Sequence, residues 1–273
     1  MSVKKKVKIH SFKKEIWRYY KMYGREMPWR HNPDPYAVLI SEIMLQQTQV
    51  DRVRPKWEAF LKQFPDFSAL AQASSADVIR AWQGLGYNRR ALGLKRLAEI
   101  VVLDHQGKLP SDSVVLETLP GIGPATAGSL AAFAFNLPAP FIETNIRRVY
   151  IYFFFPRAKK VKDSDILKLV GETIDKKNPR EWFYALMDHG AFLAKKVPNP
   201  NRKSKTYTKQ SPFVGSRRQI RGALLRALSL SPMLSLEELS RATDFPVDTI
   251  AEVSRLLEKE GFLKEMPEGY TLV

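Results

Sequence analysis

Two glutamates in this 273-residue chain occupy surroundings in which a carboxyl group could do chemistry. Glu42 lies within LISEIMLQQTQV, an otherwise apolar helical run. Burying it ionised would be costly, so such a setting raises its pKa, and a carboxylic acid titrating near neutrality can deliver a proton. The same pattern suits a surface glutamate on the polar side of the helix, alongside Ser41, Gln46 and Gln47. Glu143, in FIETNIRRV, stands at the start of another helix beside Thr144 and Asn145. A negative charge there stabilises the helix dipole, which is the simpler reading; a second working carboxylate is the alternative. Positions 42 and 143 are 101 residues apart, so the two act together only if the fold joins them.

Between them runs LPGIGPATAGSL, residues 119–130. Gly121 and Gly123 permit a tight hairpin that a Cβ would obstruct. A Gly-rich turn entering a helix N-terminus presents unpaired N–H groups and a positive dipole end, which suits a phosphate. Plain interhelical turns share the short Gly-x-Gly, so the hairpin alone leaves both readings open. Around it the chain reads as almost wholly helical. Apolar spacing predicts helices over 11–25, 37–48, 50–63, 68–83, 89–105, 113–118, 124–136, 142–154, 163–175 and 180–194. Pro28, Pro33 and Pro35 interrupt the chain before the second of these.

Composition narrows the partner. Forty-four Lys and Arg against 28 Asp and Glu leave a net charge of +16 and an isoelectric point near 9.9. Such an excess favours a polyanion, nucleic acid before a membrane surface. No stretch approaches the roughly 18 uninterrupted apolar residues of a membrane span. The opening MSVKKKVKIH lacks the apolar run of a secretory signal and reads as a frayed basic tail over residues 1–10. Absence of Cys excludes disulfides and any thiolate-held cluster or zinc site.

From Lys195 to Arg221 there are nine Lys or Arg and no acid. A solvated linker and a nucleic-acid-facing arm both fit residues 195–218, and the overall charge favours the arm. Residues 219–273 read as three helices and a short hairpin turning at PEG, a winged-helix-like pattern. Leu236, Leu239 and Ala242 of the second helix are expected to face inward, with Ile250, Val253, Leu256 and Leu257 of the third. That third helix also carries Asp248, Glu252, Glu258 and Glu260, a poor face for a major groove.

MPWR, HNPDPY, SEIMLQQTQV, WQGLGYNRRALGLKRLA, LPGIGPATAGSLAAFAF, FIETNIRRV and FYALMDHGAF follow one another with natural spacing. Together they resemble the helix-hairpin-helix base-excision DNA glycosylases, specifically the adenine mismatch glycosylases of the MutY type, over roughly residues 10–195. The resemblance implies an all-α glycosylase fold of two helical subdomains over 11–194; the winged-helix-like unit read over 219–273 lies outside it. It implies a catalytic set: Glu42 as the general acid on the departing base, Glu143 as the carboxylate stabilising the sugar cation, and Asn145 orienting acid and water. Gln46, Gln47, Thr48 and Tyr87 match residues inserted into duplex DNA beside a flipped nucleotide. Gly121, Ile122 and Gly123 match the phosphate grip. Bifunctional relatives carry a nucleophilic Lys two residues after the second hairpin glycine. Here that position on the DNA-binding hairpin is Ala125, so base removal without strand cleavage is expected.

The chain also departs from the family. Relatives usually hold an iron–sulfur cluster on four Cys just after the segment matching ALMDHGAF; here AKKVPNPNRKSKTYTKQ stands in that place, and neither cluster nor other metal cofactor is expected. Glu143 replaces the usual Asp, and the family's domain that recognises 8-oxoguanine is missing. Expected are a monomer acting in the cytoplasm on nucleoid DNA, with double-stranded DNA carrying a mismatched or damaged base as partner and no membrane. The leading reading is removal of adenine opposite guanine or 8-oxoguanine. Removal of uracil, thymine or hypoxanthine, and non-catalytic DNA binding, are the alternatives.

Overall fold

The computed structural model describes residues 3–209 and 212–273. In chain order its helices are α1 (Val3–Tyr23), α2 (Pro35–Leu45), α3 (Val50–Gln63), α4 (Phe67–Gln72), α5 (Ser75–Ala81), α6 (Arg89–His105) and α7 (Ser113–Glu117). There follow α8 (Pro124–Phe133), α9 (Thr144–Phe154), α10 (Asp163–Thr173), α11 (Pro179–Lys196), α12 (Arg217–Leu230), α13 (Leu236–Thr243) and α14 (Val247–Lys259). Among the described residues the only sheet is an antiparallel hairpin, β1 (Leu263–Met266) with β2 (Gly269–Leu272).

Contacts divide the chain into two units that do not follow chain order. The first holds the chain up to Glu42, Pro110–Thr118 and Ile122–Lys209; the second holds Ile43–Leu109, Leu119–Gly121 and everything after Lys209. In the first unit α9 and α11 pack against each other, and α1 packs on α11. Their seam is aromatic: the buried Phe12 ring meets Tyr150, Phe153, Phe154 and Trp182 at centroid distances of 5.0–5.9 Å. This explains the run VYIYFF in α9, whose apolar face is too broad for a surface helix. In the second unit α12, α13, α14 and the hairpin share one core with α5 and α6, in which Ile79 and Leu92 join Leu224, Leu225, Leu239, Ile250 and Phe262.

Four expectations need correction. Helix α1 begins at Val3, so residues 3–10 are not a frayed tail; Ile9 is buried and anchors this stretch as an early turn. Met1 and Ser2 lie outside the described residues. The single helix expected over 68–83 is two, because the Ser74 hydroxyl accepts from the Asp77 amide at 3.0 Å and starts a new helix as its N-cap. The basic stretch 195–218 is not a solvated linker throughout. Lys195 and Lys196 end α11, while Pro200, Asn201 and Ser204 are buried. The Asn201 amide donates to the Thr144 carbonyl at 3.0 Å, and Val161 and Ser204 form a β-bridge. Gln210 and Ser211 of this stretch lie outside the described residues. Of the inward face expected on α13, Leu239 is buried but Ala242 is exposed.

Candidate active site

Both carboxylates belong to the first unit. Asp34 prepares α2 by accepting from the Ala37 amide at 2.9 Å, and Pro35 opens the helix, so NPDPY is its N-terminal signal. Glu42 follows two turns later, flanked by the buried Ile40, Ser41, Ile43 and Met44. The Glu42 carboxyl is only partly exposed, and burial pushes its pKa up to about 7. A hydrogen bond with Ser129 of α8 opposes that rise, and the charge of Glu143 adds to it. The fold thus brings the two glutamates into each other's field. Ser129 Oγ also donates to the Thr126 carbonyl at 3.0 Å. One hydroxyl proton therefore serves two acceptors. It can satisfy only one of them at a time, and a charged Glu42 carboxylate is the stronger acceptor.

Glu143 is the N-cap of α9. Its Oε1 accepts from the Ile146 amide at 2.6 Å, and its Oε2 accepts from Asn145 Nδ2 at 3.2 Å. The helix-capping reading of Glu143 is therefore correct for one oxygen, and it leaves the other for the Asn145 side chain. Burial raises the Glu143 pKa, and the amides of Asn145 and Ile146 with the Arg148 and Arg147 guanidiniums only partly offset it. Two arginines next in sequence would suggest the opposite shift; Arg147, however, forks onto Asp163 at 2.7 and 3.0 Å. Arg148 donates to Asn145 Oδ1 at 2.7 Å and to the Gly190 carbonyl at 2.8 Å.

ALMDHGAF acquires a structural meaning here. A Cβ on Gly190 would lie 2.5 Å from the Asn145 carbonyl oxygen, so α11 can approach the start of α9 only with glycine at this point. The Asp188 carboxylate is fully buried and accepts from Arg25 N and Nε and from both terminal nitrogens of Arg30, at 2.6–2.9 Å. Burial alone would raise the Asp188 pKa; the two guanidiniums outweigh it and hold the group below its ordinary value. MPWR is thus the counter-charge of MDHG. Sequence reading missed Ser129, Asp188 and Gly190. An acid inside an apolar run was the available signal for Asp188, as it was for Glu42.

The hairpin has the expected backbone. Gly121 adopts φ +80°, which a side chain rarely tolerates, and Gly123 caps α8 with no side-chain acceptor while Pro124 occupies the first helical position. Ile122 is buried, whereas Gly121, Gly123 and Ala125 are exposed.

Gln46, Gln47, Thr48 and Tyr87 lie in the second unit, on two loops joined by Arg90. Its guanidinium donates to the carbonyls of Ile43, Met44 and Gly86 at 2.5–2.9 Å and to Thr48 Oγ1 at 3.0 Å. Thr48 Oγ1 in turn donates to the Leu85 carbonyl at 3.2 Å, so this hydroxyl ties loop to loop. Gln47 at φ +56° and Tyr87 at φ +48° are both left-handed, a strain that persists only where surrounding bonds over-determine it. Gln47 is exposed and Tyr87 is 38% exposed.

The segment after α11 does not fit an iron–sulfur cluster. It offers no thiolate, and no group of three His, Cys, Asp or Glu placed to hold a metal ion occurs among the described residues. Nor is any described helix long and apolar enough to cross a membrane.

A carboxyl group raised toward neutrality thus lies in the field of a second carboxylate, on a helical scaffold that carries a Gly-rich hairpin. The chain belongs to the HhH-GPD superfamily of base excision DNA repair proteins, matched over residues 40–171, and it is a DNA glycosylase. An adenine DNA glycosylase of Mycobacterium tuberculosis is 34% identical over 258 residues, covering 84% of this chain and 78% of that protein. A thymine/uracil-DNA glycosylase of Pyrobaculum aerophilum is 34% identical over 151 residues, 55% of this chain and 66% of that protein. Among solved structures, a thermostable thymine-DNA glycosylase superposes with a TM-score of 0.63 at 25% identity, over 70% of this chain and 89% of that one.

Proposed function

We propose that this glycosylase removes adenine standing opposite guanine or 8-oxoguanine, by hydrolysis and without cutting the strand. The observation that carries the reading is the Glu42 carboxyl, pushed toward neutrality by burial against the opposing Ser129 hydrogen bond, with the charge of Glu143 adding a smaller increment. Thymine and uracil can depart as anions spread over two carbonyl groups. Adenine is a poor anion and leaves when a ring nitrogen is protonated, so a site built around a neutral acid suits the purine. Glu143 then stabilises the developing sugar cation, the division of labour seen in glycoside hydrolysis. Asn145, tied to both Glu143 and Arg148, orients the attacking water. Gly121, Ile122 and Gly123 grip a phosphate, and Gln46, Gln47, Thr48 and Tyr87 fill the gap left by the flipped base. Ala125 offers no amine for a Schiff base. Residues 11–194 form the glycosylase domain, 195–218 a basic segment facing DNA, and 219–273 a winged-helix-like unit. The enzyme acts as a monomer on nucleoid DNA.

The test is a panel of duplexes carrying A·8-oxoG, A·G, T·G, U·G and hypoxanthine·T, each analysed with and without alkali. Cleavage of the adenine duplexes only after alkali is expected. Preference for T·G or U·G would transfer the site to pyrimidines, and tight binding with every base intact would refute catalysis.

A further inference from the structure

The second unit contains a cleft of about 1080 Å³ on which its two halves converge. One side carries Gln46, Gln47 and Tyr87. The other comes from the C-terminal elements, through Phe213, Arg217, Arg218 and Arg221. Six arginines line it, counting Arg52, Arg89 and Arg90, against one carboxylate, Glu260. Glu260 is fully engaged, accepting from Arg89 and Arg221 at 2.6–2.9 Å. Arg217 pairs with Glu252 at 2.8 Å while its side chain stays 72% exposed. Arg52 is exposed on α3. Arg218 Nη1 donates to the Tyr87 hydroxyl at 3.2 Å, so the first turn of α12 holds the ring expected to enter the duplex.

We propose that this cleft seats the undamaged strand, with the guanidiniums of Arg52, Arg217 and Arg218 on its phosphodiesters next to Gln47 and Tyr87. The inference rests on the reading above that these two residues enter the duplex. The excess of positive charge selects a polyanion. The choice of strand follows from what lines the cleft: it includes the residues that would fill the gap, and neither Glu42 nor Glu143. Residues that fill the gap face the base left behind, so a phosphate grip beside them meets the strand that keeps its bases. Contacts to phosphate set register and orientation on a duplex. The first turn of α12 thereby supplies a hold on the strand that carries the orphaned base.

The experiment uses the full chain and a duplex with a non-cleavable abasic analogue opposite guanine, with single neutral methylphosphonate linkages stepped along either strand. Wild-type affinity should fall about fivefold or more for linkages flanking the orphaned guanine. Arg217→Ala/Arg218→Ala should bind about tenfold more weakly, lower the slope of log K against log salt by about one to two, and lose most of the sensitivity to those linkages, Arg52 keeping the remainder. Neutral linkages in the lesion strand should still weaken it. Arg217→Lys/Arg218→Lys, which keeps the charges, should retain the salt slope and thereby exclude misfolding as the cause. Wild-type indifference to the undamaged strand, or a double variant that loses its sensitivity on the lesion strand instead, would overturn the proposal. Strand-specific binding by an enzyme that spares adenine would refute the substrate assignment and leave this inference standing.

Discussion

Replacing Glu42 by glutamine tests the acid and its environment together. Burial raises this carboxyl from 4.5 to about 7, with the charge of Glu143 adding to the shift. The native protein therefore keeps a proton that the unfolded chain has already released. Stability must fall as pH rises between those two values, because the native state binds more protons there. A shift of this size corresponds to about 3 kcal/mol, present below the unfolded carboxyl value and lost as pH passes through about 7. Glutamine has nearly the same shape, can accept the Ser129 hydroxyl, and never ionises. Glu42→Gln should thus match wild type in urea unfolding at about pH 4 and exceed it by up to about 3 kcal/mol at about pH 8.5.

Excision should move the other way. Loss of the proton donor should lower the single-turnover rate about a hundredfold or more, with DNA binding retained. In the wild type the rate should decline as pH rises through about 7 and also on the acid side as Glu143 takes a proton, at a pH above the ordinary carboxylate value. A variant no more stable than wild type at alkaline pH would mean that no burial cost is being relieved. A variant that still excised adenine would remove Glu42 from the chemistry altogether.

Ser129→Ala removes the bond that holds the Glu42 pKa down, so the alkaline limb of the rate profile should move to higher pH; a shift to lower pH would mean that Ser129 serves the acid form as acceptor. Gly190→Ala forces a Cβ to 2.5 Å from the Asn145 carbonyl oxygen and should lower stability by about 1–3 kcal/mol with a disproportionate loss of rate, read by thermal unfolding and single-turnover kinetics. Borohydride should trap no covalent adduct with wild type, whereas Ala125→Lys should yield one detectable as a slower band on a denaturing gel.

How far the sequence carries depends on what each signal contains. Helical spacing located most elements because amphipathic period is a local property: α3 and α6 end within the expected bounds, while the break at Ser74 needed its capping bond with Asp77 to be seen. The tail failed for the converse reason. A basic stretch looks solvated until Ile9 is known to have a core to enter. The site teaches the sharper lesson. Glu42 and Asp188 present the same pattern, an acid within an apolar helix, and burial acts on both to raise the pKa. Arg25 and Arg30 meet Asp188 and reverse the shift, so it becomes a fixed ionic joint between MPWR and MDHG. No counter-charge meets Glu42: burial raises its pKa, the Ser129 hydrogen bond offsets part of the rise, and the charge of Glu143 adds a smaller increment. What separates the two shifts is the sign of the charge, if any, brought to each carboxylate from far along the chain. That sign depends on tertiary contact, and no local pattern encodes it.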